Sequence, residues 1–255
     1  MKKLFLTFAT LAVVLSSIAE QKPNRRRSRP SKPSGGIVER PQQGKVFRVR
    51  NTVAELPAEQ VEKLTRTIRH TAILPIEAVS GGKVEGCPFA AAERLLSEKN
   101  VAAGLLVVDD AKLPISVIAS DRKWSILNIA PFKADSPTAE KLFERFTKAY
   151  WATIARTLGA GYSSYPGCVL VPFTNIRELD AIKAMSPCPE PFNKMLETAQ
   201  AWGMNKLSIA SYRTACQQGW AAAPTNDVQK AIWEEVHKLP TAPIKIKPET
   251  KKVEK

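Results

Sequence analysis

Histidine is nearly absent from this chain: among 255 residues there are two, His70 and His237. A catalytic zinc ion held by three histidines therefore cannot be assembled from it. A lone histidine on a helix is more often structural than catalytic. Other standard chemistry is missing as well. No GxSxG nucleophile elbow occurs. The glycines of "GAGYSSYPG" lack the preceding strand and the helix-opening pattern of a phosphate loop. Four cysteines, Cys87, Cys168, Cys188 and Cys216, contain no CxxC pair, which removes a redox motif and a zinc ribbon. No internal repeat is visible. Beyond the N-terminus, no segment approaches the ~18 apolar residues of a membrane-spanning helix. Asp109-Asp110 stands at an expected strand end, where a carboxylate can hold a cation or act as a base. Adjacent strand residues point to opposite faces, however, and "DDAK" also suits a turn.

What is present begins with an address. Lys2 and Lys3 precede an apolar run from Leu4 to Val14, and Ser17-Ile18-Ala19 supplies small residues for signal peptidase. Residues 1–19 are expected to be a signal peptide cut after Ala19, giving a secreted or periplasmic protein. Residues 20–44, rich in Pro, Arg and Ser, carry too little apolar surface to offset ordering entropy and are expected to be a disordered basic linker. Residues 241–255 form a similar tail. Most of the formal charge of +14 lies in these ends: residues 51–240 hold 21 basic and 20 acidic residues. A near-neutral folded part argues against nucleic acid as the partner of a folded face. The basic arm can still bind nucleic acid or an anionic surface polymer without sequence readout. Residues 45–240 are expected to form a single globular domain. Four cysteines in an exported chain predict two disulfides, with three connectivities open.

The folded part reads as helix, helix, three strands, long helix, loop and helices, a mixed α/β or α+β layout. Ala54–Ala72 has Val61, Leu64, Ile68 and Ala72 at helical spacing, and Cys87–Asn100 reads as a short amphipathic helix. Ala102–Asp110, Leu113–Asp121 and Trp124–Pro131 read as buried strands, and their short separators predict tight, partly antiparallel connections. Ser136–Gly161 is the clearest helix, with Ser136 as expected cap, Pro137 in the first turn and glycines at the end.

In this order of elements, the stretch from Ala102 to Pro191 resembles the metzincin peptidases, and among them the archaemetzincins. Their signature is HExxHxxGxxHC, four residues, CxM, seventeen residues and CxxC. Laid on this chain, the first histidine falls on Ala152, the glutamate on Thr153 and the second histidine on Arg156. The glycine falls on Gly159 and is retained. The third histidine falls on Tyr162 and the cysteine after it on Ser163. The next cysteine is Cys168, the methionine position is Leu170, the third cysteine is Cys188, and the fourth falls on Pro191. The runs "VVDD", "SILNIAP", "ERF" and "CPEP" add to the likeness.

The resemblance implies a metzincin-like mixed sheet packed on a long former active-site helix, with further helices at both ends. It also implies lost chemistry: Ala152 cannot bind metal, Thr153 cannot serve as general base, and Arg156 sets a cation where zinc would sit. Hence no catalytic residue, no metal and no cofactor are expected, and Arg156 and Tyr162 become candidate contacts for a protein, peptide or anionic polymer ligand. Cys168 and Cys188, survivors of a second zinc site, are expected to pair, leaving Cys87 to pair with Cys216. A hydrolase that binds zinc through other ligands is the rival reading, and a cationic-tail binder the third.

Overall fold

A computed structural model describes residues 35–40 and 44–238. The expected signal peptide, most of the basic linker and the C-terminal tail lie outside the described residues. No helix among those described is long and apolar enough to cross a membrane.

The chain begins with β1 (Ile37–Glu39), β2 (Val46–Asn51), α1 (Ala58–Ala72) and β3 (Ile76–Ser80). There follow α2 (Pro88–Arg94), β4 (Val101–Val108), β5 (Ser116–Ile118) and β6 (Trp124–Asn128). The long helix α3 (Ala139–Thr157) leads to α4 (Ile176–Ala181) and α5 (Pro191–Ala201). The described part closes with β7 (Ile209–Ser211), α6 (Tyr212–Gln217) and α7 (Asp227–Lys238). Five strands form one mixed sheet in the order β3-β2-β4-β6-β5, and β1 pairs with β7 in a separate two-stranded ladder. The fold is thus the mixed α+β arrangement expected, with more strands than the sequence announced.

Three expectations are corrected. The basic linker of residues 20–44 was expected to be without structure, yet Ile37–Glu39 pairs antiparallel with β7. Glu39 is what anchors it, because its carboxylate receives Arg69 Nε at 2.8 Å and His70 Nε2 at 2.5 Å from α1. Second, the three apolar runs do not pair in sequence order: β4 lies parallel to β6, and β5 is antiparallel on the outer side of β6. All eight residues of β4 are buried, so it takes a central place with neighbours on both sides, while half-buried β5 takes the edge. Third, Ser136 does not cap α3. It sits at φ 48°, and Thr138 Oγ1 accepts the Lys141 N–H instead.

Alternation along β4 builds two cores. Ala103, Leu105 and Val107 face α1 and α3 together with Phe47, Val49 and Leu127. Leu106 and Val108 face α2 with Ile126, Ala92 and Leu95. β2 obeys the same rule: Phe47 and Val49 are buried, while Arg48 reaches Glu98 and Glu77 on the other face and Arg50 reaches Glu98. The crossovers β2–α1–β3 and β3–α2–β4 run in opposite directions and place their helices on opposite faces, as right-handed connections require.

α3 is nearly enclosed. Tyr150 stacks on Phe146 at 4.9 Å between ring centres and shares a buried hydroxyl contact of 2.6 Å with Thr65 of α1. Arg145, buried on the same helix, spans Asp135 and Asp180 with paired contacts of 2.6–3.0 Å. These contacts fix the axis whose C-terminal end carries the candidate site.

Candidate functional site at the C-terminal end of the long helix

Gly159 ends α3 at φ +88°, and a Cβ there would stand 2.6 Å from Thr198 Oγ1 of α5. Both facts demand glycine: the left-handed conformation, and the close approach of α5. The turn is closed by the Ala160 N–H donating to Ala155 O at 2.9 Å. From here the chain runs through Tyr162 and Ser163 and returns, with the Ser163 N–H donating to Leu170 O at 3.1 Å.

The four positions that the resemblance aligns with the zinc-peptidase motif meet different fates. Ala152 is fully buried in the main core. Thr153 is buried too, and its hydroxyl donates to Ala149 O at 2.8 Å, within its own helix. Arg156, one turn beyond Ala152, reaches out to Tyr162: its guanidinium carbon lies 4.3 Å from the Tyr162 ring centre and 5.2 Å from that of Phe173. The structure therefore brings Arg156 and Tyr162 together and leaves Ala152 and Thr153 in the core. Phe173 completes the aromatic clasp and was not singled out by spacing, because it lies on the far side of the loop.

The electrostatics of Arg156 are unusual. Its Nε and one terminal nitrogen are buried with no hydrogen-bond partner, and among the described residues no carboxylate pairs with it. Burial holds the guanidinium below its ordinary pKa, and the facing Tyr162 hydroxyl offsets this only in part. Rings stabilise the cation through their negative faces, by about 2 kcal/mol when desolvated.

This donor set does not fit zinc. Alanine offers no ligand, threonine's hydroxyl is spent on the helix, and a guanidinium repels a cation. Among the described residues, no three His, Cys, Asp or Glu side chains come together as a metal would need.

The second set of aligned positions does converge. The Cys188 N–H donates to Cys168 Sγ at 3.1 Å, and Ser163 Oγ lies 3.9 Å from Cys188 Sγ. Pro191 opens α5 just beyond. Burial pushes the Cys168 thiol up, but hydrogen bonds from Cys188, with Leu170 and Ser163 adding to them, hold that thiol below its ordinary value. The Cys188 thiol, facing Cys168, is pushed up. All four cysteines are unbonded. The expected Cys87–Cys216 pair is likewise unbonded: Cys87 is exposed at the start of α2, while Cys216 is buried in a separate cluster with Tyr212 and Ile232. For Cys168 and Cys188 the expected result is a disulfide on mild oxidation, read by non-reducing peptide mapping, with a gain of about 3 kcal/mol in unfolding free energy. A map showing Cys87 joined to Cys168 would mean that the register is wrong.

No protein-family model matches the chain, and no curated protein matches it. Three solved structures are similar. One is a zinc-dependent peptidase from Methanocorpusculum labreanum, at 16% identity and TM-score 0.46, covering 58% of this chain and 99% of its own. The second is an archaemetzincin from Methanopyrus kandleri, at 13% identity and TM-score 0.48, covering 61% and 96%. The third is an archaemetzincin from Archaeoglobus fulgidus complexed with malonate, at 17% identity and TM-score 0.43, covering 59% and 99%. With identities of 13–17% and TM-scores below 0.5, none of their chemistry passes to this chain by likeness alone.

Proposed function

We propose that this chain is an exported, metzincin-like module without peptidase activity, and that it works by binding. The observation that carries the reading is the Arg156 clasp. A cation held between Tyr162 and Phe173 occupies the helix turn where the resemblance would set the second metal-binding histidine. The loss is not a single missing ligand that another residue replaces. The three histidine positions hold Ala152, Arg156 and Tyr162, the general-base position holds Thr153, and each side chain has taken up a packing or stacking role of its own. Tyr162 remains 68% exposed, so the outer face of the clasp is open to a partner. A carboxylate or other anionic group of a protein, peptide or polymer would suit the unpaired guanidinium. Export rests on the N-terminal pattern of lysines, apolar run and small residues.

Metal analysis of the purified full-length protein tests the reading. The expected result is zinc far below one equivalent per chain and no hydrolysis of peptide substrates that a chelator suppresses. Near-stoichiometric zinc, lost together with activity on chelation, would sink it in favour of a hydrolase with other ligands.

A further inference from the structure

The five-stranded sheet ends on β3, and the outer side of that strand is open. At one end of its ladder with β2, the Phe47 N–H donates to Pro75 O at 2.9 Å. At the other, the Gly81 N–H donates to Asn51 O at 2.8 Å. Alternate residues of a strand in a parallel ladder bond the same neighbour. The odd-numbered residues of β3 therefore face β2, and Ile76, Ala78 and Ser80 turn their backbone groups outward. Ile76 is provided for: its N–H donates to Leu74 O, and its carbonyl accepts from Arg69 Nη1 at 3.2 Å. Among the described residues, the outward groups of Ala78 and Ser80 have no partner. Open edges are usually blunted by lysine, proline or a bulge. "IEAVS" carries neither residue and pairs with β2 without a bulge.

A cleft of about 390 Å³ lies between this edge and α1, with Thr65 and Arg69 on one side and Ile76 to Val79 on the other. The two faces of the edge differ in chemistry. Ile76 and Ala78 lie on the α1 face, within or against the main core. Glu77 lies on the opposite face, where Arg48 is divided between Glu77 at 3.2 Å and Glu98 at 2.8 Å. Glu77 is 42% exposed and keeps a capacity to accept. The cleft as a whole has three carboxylates, Glu39, Glu62 and Glu77, against two arginines. An added strand must therefore be apolar toward α1 and basic toward Glu77, alternating with a period of two.

One segment of this chain has that pattern. Residues 239–255 hold five lysines and two glutamates. Within them "PIKIKP", residues 243–248, alternates Ile244 and Ile246 with Lys245 and Lys247 between two prolines. The place where the described chain ends also suits it. Val236, in the last turn of α7, packs in one cluster with Val38 of β1, and the next residue, Glu39, lines the cleft. From Lys238 to Ile244 an extended chain reaches about 20 Å. Proline is tolerated on an edge strand, and its missing N–H leaves the new edge less to pair with. We propose that residues 244–247 dock on β3 as a sixth strand, with the isoleucines beside Ala78 over α1 and the lysines beside Glu77.

Amide hydrogen exchange of the full chain, read at Ala78 and Ser80 by NMR, tests this. The comparisons are a chain ending at Lys238 and the full chain carrying Ile244→Ser with Ile246→Ser. Neither change touches a described residue, so amides of β4 should keep their protection in both. The Ala78 amide is expected to exchange slowly in the full chain and about tenfold or more faster in both altered chains. The proposal is overturned if Ala78 exchanges equally fast with and without the tail, or if the double serine variant matches the full chain. A second copy seated on β3 would instead leave Ala78 protected after truncation, with protection rising with protein concentration. That result overturns the proposal as well.

Discussion

Arg145→Ala is expected to lower the unfolding free energy by about 3 kcal/mol, among the larger single-residue effects in this chain. The guanidinium is buried, with a side chain 2% exposed, and it binds Asp135, Asp180 and the carbonyl of Phe132 at once. Removing it leaves that carbonyl without its donor and leaves Asp180 with Lys141 alone. Asp135 is largely exposed and loses little, which keeps the figure at the lower end for a broken buried pair. For a folded part of this size, 3 kcal/mol corresponds to a fall of roughly 6–12 °C in melting temperature, measurable by calorimetry. Arg145→Lys should fall between, since an ammonium cannot meet two carboxylates in bidentate fashion. The pH dependence has a definite sign. Hydrogen bonding to Arg145 lowers the Asp180 pKa to about 2 in the folded chain. The contribution is therefore complete above the ordinary carboxylate range and is lost as pH falls through about 2. The difference between wild type and Arg145→Ala should shrink across that window. A difference that stays constant down to pH 2 would mean that packing, not charge, holds Arg145 in place.

Gly159→Ala is expected to cost about 2–5 kcal/mol, read by urea unfolding. Two penalties combine. A left-handed backbone costs an L-residue about 1–2 kcal/mol, and the added carbon would lie 2.6 Å from Thr198 Oγ1, an overpacking that typically costs 1–3 kcal/mol. The two can be separated. In a Thr198→Ala background the clash disappears and the backbone term stays, so the loss should fall to about 1–2 kcal/mol. If Gly159→Ala costs the same in both backgrounds, the approach of α5 is not what demands glycine. Because this turn also carries the chain into Tyr162, the variant should disturb the clasp around Arg156, visible as a change in tyrosine fluorescence.

How much of this was readable beforehand varied with the kind of signal. β4 and β6 stood out as continuous apolar runs, and α3 as a stripe from Leu142 to Leu158, because burial on nearly every side leaves a composition that no other element has. β2 did not stand out. "VFRVRN" lies beside a basic tail, and its arginines read as part of that charge until Glu98 and Glu77 appear across the sheet. β3, "IEAVS", is short and half-exposed, and β1 and β7 are three residues each. Elements of that size are set by partners distant in sequence, which no local pattern carries. At the site, Gly159 and the neighbours Cys168 and Cys188 were legible only through the resemblance to the archaemetzincin signature. The clasp was not, because Phe173 meets Arg156 only after the loop has turned back.

The short ladder between β1 and β7 has a bearing on how the molecule assembles. Glu39 faces Ile209 across it, so the two strands close a loop of nearly the whole described chain, at an entropic cost on the order of 4–5 kcal/mol. Three residue pairs cannot meet that cost alone. They lean on Glu39 with Arg69 and His70, on Gln229 reaching Gly35 O, and on Val38 against Tyr212 and Ile232. The ladder therefore stands or falls with its contacts to α1, α6 and α7, and loosening any of them is expected to free β1 first, read as early loss of amide-exchange protection at residues 37–39.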